Sequence, residues 1–276
     1  MHSPEGGGPR ALEPYPPETR EEHKRAFRVG DRPRLAAIRH SASYDLSYRD
    51  PEPLVSVIVS TYDRAELLRE RALPSMLAQD YERWELLVIG DGMDEGQARL
   101  LRGIPDRRVF FHNLRTRGRY PNDFGRAWCV VGSKAANFGL RIARGRWVCH
   151  LDDDDEYTPS HFSRLLGLAR ERRVEWVHGN ALLRPLDGEG EVCIGSAFPT
   201  LGRIAQAATL YHAGLKTFRY NPLCWRYDYP GDWDLWDRFL EAGVTHAHLA
   251  EVVGYHYNER PAMRQRLREL NADQCP

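Results

Sequence analysis

Three short apolar runs, separated by stretches of helical pattern, constrain this chain more than any other feature. The first, Leu54-Val-Ser-Val-Ile-Val-Ser60, is the kind of β-branched run expected of a strand buried on both faces. The second is Trp84-Glu-Leu-Leu-Val-Ile-Gly90 and the third is Arg146-Trp-Val-Cys-His-Leu151. A helix over about 65–77 is expected between the first two. A short strand over 109–111 and a helix rich in Ala and Leu over about 133–143 should lead to the third. Strand, helix and strand repeated in this way call for parallel pairing with right-handed crossovers. In such open sheets ligands bind at the carboxyl ends of the strands.

Beyond Asp155 the pattern changes to an α+β region suited to the acceptor side of a cleft. It predicts a helix near 159–172, a strand at 174–178, a hairpin around Asp187-Gly-Glu-Gly190, and helical segments at about 201–213 and 233–242, the last stopped by Gly243. Residues 1–53 carry eight prolines and little apolar periodicity, so they read as an arm outside the main core, with one short helix around 34–38. The 276 residues thus divide into an arm (1–53), one domain (54–260, with halves 54–155 and 156–260) and a tail (261–276).

Lys plus Arg and Asp plus Glu both total 39, so no global field draws the chain to nucleic acid or an anionic membrane. No apolar segment has the length of a signal peptide or a transmembrane helix, and a soluble, cytoplasmic protein is expected. The five cysteines are widely spaced and include no Cys-x-x-Cys pair, which points to neither a disulfide framework nor a thiolate zinc site. Most should be small buried apolar residues.

The most informative stretch is Leu151-Asp-Asp-Asp-Asp-Glu156, four aspartates where an apolar strand ends. On an extended backbone Asp152 and Asp154 point to the same side, so their oxygens can converge on one hard cation that keeps positions open for phosphate. A solvated helix start competes, with Thr158 as N-cap and Pro159 as first residue, but it explains one or two acids and not four. A helix-loop-helix calcium site would need Gly and Glu where Tyr157 and Ser163 stand. Phosphate loops of the Gly-x-x-x-x-Gly-Lys and Gly-x-Gly-x-x-Gly types, the Gly-x-Ser-x-Gly elbow and the His-Glu-x-x-His helix are all missing from the sequence.

In order and spacing these elements resemble the family-two nucleotide-sugar glycosyltransferases of the GT-A fold. Val57-Ile-Val-Ser-Thr-Tyr-Asp-Arg64 is similar to the family's opening strand and turn, and Val88-Ile-Gly-Asp-Gly92 to its "DDG" signature, with Gly90 in place of the first acid. Gly132, Ala136, Asn137, Gly139, Ala143 and Gly145, followed by the aspartates, are similar to its most specific stretch. The resemblance covers about 53–155 and extends more weakly to 256. It implies a Rossmann-like, mostly parallel sheet flanked by helices. It also implies a donor site on Ser60, Thr61, Tyr62, Asp63, Asn137, Asp152 and Asp153, with Asp91 accepting from the base. Turn chemistry is the alternative reading of Asp63 and Asp91.

By the same resemblance Asp154 is the main ligand of Mn2+ or Mg2+, helped by Asp152, and His256 of Tyr255-His256-Tyr257 is a further candidate. Gly231-Asp-Trp-Asp-Leu-Trp-Asp237 resembles the family's "ED" helix start, which makes Asp232 the candidate general base and Asp234 the next; an N-cap is the plain alternative for Asp232. The segment 112–131, with four arginines, Tyr120 and Trp128, is longer than the usual family connection. It reads as a solvated loop, or as a clamp on the donor or acceptor. The implied activity is inverting transfer from a nucleoside diphosphate sugar, with UDP preferred, to a hydroxyl of a saccharide or small molecule; homo-oligomers are compatible with it. A sugar-nucleotide hydrolase, a nucleotidyltransferase and a catalytically idle nucleotide-binding module are the alternatives.

Overall fold

The structure, a computed structural model, describes residues 14–184, 190–257, 269 and 271. Its strands are β1 (Val55–Thr61), β2 (Trp84–Gly90), β3 (Val109–Asn113), β4 (Trp147–His150), β5 (Glu156–Tyr157), β6 (Trp176–Arg184), β7 (Val192–Ile194), β8 (Thr209–His212) and β9 (His246–Tyr257). They form one sheet in the order β3-β2-β1-β4-β8-β6-β9-β5, with β7 paired to β6. β1 to β4 are parallel, as the alternating pattern requires. β8 runs antiparallel between β4 and β6, and this makes the sheet mixed.

Alternating residues of β1 enter different cores. Val55, Val57 and Val59 pack with Leu68 and Met76 of α4 (Ala65–Glu70) and α5 (Ala72–Leu77), and with Leu101 of α6 (Glu95–Arg102). Ile58 faces the other way, toward Ala136 and Leu140 of α8 (Ser133–Ile142). Each fully buried aliphatic side chain contributes roughly 1.5–3 kcal/mol, so a strand wet on neither face must be apolar throughout. Gly139 brings α8 down onto the sheet: a Cβ there would stand 2.6 Å from Ile58 Cγ2.

Several expected elements differ in detail. The helix over 65–77 is broken at Arg71, because Pro74 lacks an N–H and its ring crowds the carbonyl four residues earlier. The expected helix over 201–213 is instead a 3-10 turn (Gln206–Ala208) followed by β8. Thr209, Leu210, Tyr211 and His212 suit a strand, and pairing on both sides overrides the helical propensity of the alanines before them. Thr158 does not cap a helix. Its carbonyl accepts from Gln79 (2.8 Å), and α9 (His161–Arg172) starts after Ser160. α10 (Gly231–Ala242) ends as expected, on Gly243 in the left-handed region at φ 87°. β6 and β7 pair antiparallel, while most of the turn expected at 187–190 and most of the tail 261–276 lie outside the described residues.

Residues 17–49, expected outside the core, are built into the body as α1 (Pro17–Arg28), α2 (Asp31–Arg39) and α3 (Leu46–Arg49). Leu35 and Tyr48 are buried in the two main cores. Ion pairs add to this packing: Arg28 to Asp234 (2.9 Å) and Asp237 (2.7 Å), Asp31 to Arg238 (2.7 Å), and Arg39 to Glu175 (2.7 and 2.8 Å). Charged anchors leave no hydrophobic period, so the arm did not read as part of the fold. Cys149 and Cys224 are buried free thiols, whereas Cys193 is disulfide-bonded, which the cysteine spacing did not indicate. Among the described residues no helix is long and apolar enough to cross a membrane.

Candidate active site

The carboxyl ends of β1, β2 and β4 open into a cleft of about 590 Å³. Ser60, Thr61, Tyr62 and Asp63 line it from the end of β1, Asp91 from the end of β2, and Asp152, Asp153 and Asp154 from the end of β4. Asp232 of α10 and His256 of β9 close it from the second half of the chain. Residues far apart in sequence thus meet where the strand-end rule places a ligand. Two expected site residues, Asn137 and Asp234, do not line it.

The acidic run leaves the extended conformation directly after β4. Asp155 N–H donates to the Asp152 carbonyl (3.2 Å), a turn that swings Asp155 toward Asp152. Oxygens of Asp152 and Asp155 and a ring nitrogen of His256 lie within 4.8 Å of one another. Asp154, expected as the main metal ligand, is turned to Arg64 (2.5 Å) instead. The extended geometry expected of Asp152 and Asp154 does not continue past the end of β4. Asp155 is fixed from behind, accepting from His256 Nδ1 (2.9 Å) and from the Tyr257 N–H (3.0 Å).

The electrostatics of this turn suit a cation. Burial, then the neighbouring Asp155 and Asp154, push the Asp152 carboxyl well above the ordinary range, against the pull of His256. Burial and Asp154 push Asp153 up to about 7, with Arg64 opposing. Burial would lower the His256 imidazole, but Asp155 overcomes it and raises it. Two carboxylates and an imidazole form a mixed O/N donor set for a divalent cation, and such an ion there would relieve the crowding of like charge.

Asp232 stands in the first turn of α10, whose N-cap is Pro230, so Asp232 does not cap the helix. One of its oxygens accepts from the Trp233 N–H (2.7 Å), and burial raises its carboxyl. A more basic carboxylate facing a cleft suits proton abstraction. Asp234, one step round the helix, is fully buried and accepts from Arg28 (2.9 Å) and Tyr227 (2.7 Å). It does not face the cleft.

Asn137 acts at one remove. Its amide accepts from Tyr220 N–H (2.8 Å) and donates to Tyr220 O (2.9 Å). The Tyr220 hydroxyl donates to Gln206 (2.8 Å), whose amide donates to Asp152 (2.9 Å). Sequence reasoning missed Gln206 and Tyr220, which sit in a region of no recognisable motif. Only the strand β8, brought beside β4, reveals them.

At the other end of the cleft the long segment 112–131 folds over the residues expected to hold the nucleoside. Both oxygens of the buried Asp91 carboxylate are engaged, one by the Gly118 N–H (3.0 Å) and one by the Tyr120 hydroxyl (2.5 Å). The Arg117 guanidinium lies 3.6 Å from the centre of the Tyr62 ring. Gly92, at φ 71°, makes room for this: a Cβ would meet the Arg117 backbone nitrogen at 2.3 Å.

Residues 127–189 match the model described as Glycosyl transferase family 2. The chain is 30% identical over 116 residues to the putative colanic acid biosynthesis glycosyl transferase WcaA of Escherichia coli K12, covering 41% of this chain and 37% of that protein. It therefore spans well under half the length of that curated relative. Among solved structures, S. aureus TarS 1-349 in complex with UDP-GlcNAc matches with a TM-score of 0.57 at 17% identity, over 76% of this chain and 60% of that one. The mannosyltransferase PcManGT from Pyrobaculum calidifontis, in complex with GDP-Man and Mn2+, matches with a TM-score of 0.55 at 16% identity, over 91% and 74%. At these identities the likeness establishes the GT-A fold.

Proposed function

We propose that this chain, on the GT-A fold, is a family-two glycosyltransferase that carries out a metal-dependent, inverting transfer of a sugar from a nucleoside diphosphate, preferably UDP, to an acceptor hydroxyl. The observation that carries the reading is the placement of Asp232 in the same cleft as Asp152 and His256, on the opposite half of the fold from the end of β1.

Asp152, Asp155 and His256 would hold Mn2+ or Mg2+. Such an ion supplies charge neutralisation for the departing diphosphate. Tyr62, Asp63 and Asp91 bind the nucleoside end, Ser60, Thr61 and Asp153 border the ribose and phosphates, and the Asn137, Tyr220 and Gln206 series keeps Asp152 aimed. Asp232 takes the proton from the acceptor hydroxyl as that oxygen attacks the anomeric carbon and the C–O bond to the diphosphate breaks. One displacement inverts the centre. A carboxylate made more basic by burial is suited to that step.

The test is incubation of UDP- and GDP-sugars with acceptor panels and Mn2+, followed by NMR of the anomeric proton. Inverted glycoside plus nucleoside diphosphate supports the reading. Retained configuration, pyrophosphate release, or free sugar alone would each replace it with another chemistry.

A further inference from the structure

The short helix α7 (Phe124–Trp128) has no buried residue, although it lines the cleft. Its winding continues for one more turn, since the Val131 N–H donates to the Ala127 carbonyl (2.8 Å). Phe124, Trp128 and Val131 therefore stand at i, i+4 and i+7 on one face, and that face is exposed by 65, 40 and 47%. An apolar core lies within reach, formed by Val130, Cys224, Trp225 and Tyr227, and it takes Val130 but not Trp128. Exposed apolar surface concentrated at the mouth of a polar cleft marks a place where a ligand lies.

The same turn is fastened to the start of α10. Gly231 N–H donates to the Cys129 carbonyl (2.7 Å), and a Cβ on Gly231 would stand only 2.9 Å from that oxygen. The turn that carries the aromatic face is thus joined to the helix start that carries Asp232, and Trp128 and Asp232 both line the cleft. A ligand that covers both must present an apolar face to Trp128 and a hydroxyl edge to Asp232. A pyranose ring has both. A purely aliphatic occupant would bury the Asp232 carboxylate without a donor, which is costly.

Resting on the proposed transfer, we infer that Trp128, flanked by Phe124 and Val131, is the acceptor platform, and that the acceptor is a saccharide whose pyranose ring lies against it. The aromatic face contributes contact area at little conformational cost, and Asp232 receives the hydroxyl that the ring orients.

The test uses the full chain with UDP and Mn2+ present. Methyl α- and β-pyranosides of glucose, galactose, mannose and their N-acetylamino forms are titrated and followed by saturation-transfer NMR, with UDP affinity measured in parallel. At least one pyranoside should bind, with saturation concentrated on the C–H protons of one ring face. Trp128→Ala should weaken it by about ten-fold, the scale of one lost aromatic contact. Trp128→Tyr should restore most of the affinity, while Trp128→Leu should not, and UDP binding should be unchanged in all three. Binding of every pyranoside at equal strength by wild type and Trp128→Ala overturns the platform, as does binding of none. If octyl glucoside binds more tightly than methyl glucoside and Trp128→Leu binds it as well as wild type, the occupant is an alkyl chain, and the saccharide assignment falls. If neither UDP nor GDP binds wild type with Mn2+, it is the donor reading that fails.

Discussion

Tyr120 donates its hydroxyl to Asp91 across 2.5 Å, so the acid at the end of β2 is already paired from within the chain. Burial, and then this bond to Asp91, raise the Tyr120 phenol, which therefore stays protonated as a donor at neutral pH. A nucleoside that uses Asp91 competes there with Tyr120, and the Arg117 guanidinium lies 3.6 Å from the centre of the Tyr62 ring beside it.

Tyr120→Phe should therefore bind UDP more tightly than wild type in the presence of Mn2+. A hydrogen bond to a charged group is worth roughly 1.5–3 kcal/mol, so an increase of about ten-fold is expected by calorimetry. The same substitution leaves a buried carboxylate oxygen of Asp91 without its donor, and the free protein should unfold at a lower temperature. Weaker UDP binding by Tyr120→Phe would mean that the hydroxyl serves the donor instead of competing with it.

The turn at residues 152–155 separates the metal acids by role. Asp155→Ala removes one carboxylate of the candidate set and frees the His256 ring, so stabilisation by UDP plus Mn2+ in a thermal-shift experiment should disappear. Asp154→Ala, which loses only the ion pair with Arg64, should keep it. The reverse order would restore Asp154 as the principal ligand.

Asp232 and Asp234 allow a sharp comparison within one helix turn. Asp232→Asn should fold normally and bind nucleotide, with turnover lower by about 10²-fold or more. Asp234→Asn weakens the pairing of Arg28 in the interior, where breaking a buried pair costs about 3–5 kcal/mol, so stability should fall in urea titrations. Its turnover per folded molecule should be close to wild type. Equal loss of turnover in both variants, with stability unchanged, would return Asp234 to the catalytic step.

Much of this site was legible in the sequence because strand ends announce themselves. A buried run that stops at four aspartates, or at Asp91-Gly92, places its acids at a sheet edge whatever the rest of the chain does. The path of the chain after those strands was not legible. Whether Asp154 or Asp155 turns inward depends on a turn of four residues, and nothing in a row of identical side chains fixes that choice. Strand β8 was also hidden, since it is a strand only because β4 and β6 lie on either side of it. The arm was missed for a different reason: its attachment runs through Arg28, Asp31 and Arg39, and patterns of apolar residues carry no record of ion pairs.

The arm's attachment gives a prediction about pH. Burial would raise the Glu175 carboxyl, but the Arg39 fork, the Thr245 N–H and the Tyr44 hydroxyl more than offset it, and its value lies below the ordinary one. A group whose folded value is depressed contributes stability that is present above its unfolded value, about 4.3, and is lost as pH falls through the folded value. At pH 7 Glu175→Gln should therefore be less stable than wild type in urea, since Arg39 keeps its charge and loses its carboxylate. As the pH is lowered from about 5 through the folded value of Glu175, the wild type should lose its advantage and the two unfolding midpoints should converge. Arg39→Ala should also be less stable than wild type at pH 7, and the double variant should be less destabilised than the sum of the two, because both lose the Arg39–Glu175 pair. A gap between wild type and Glu175→Gln that stays constant across that range would show that the carboxylate's charge plays no part in holding α2 to the body.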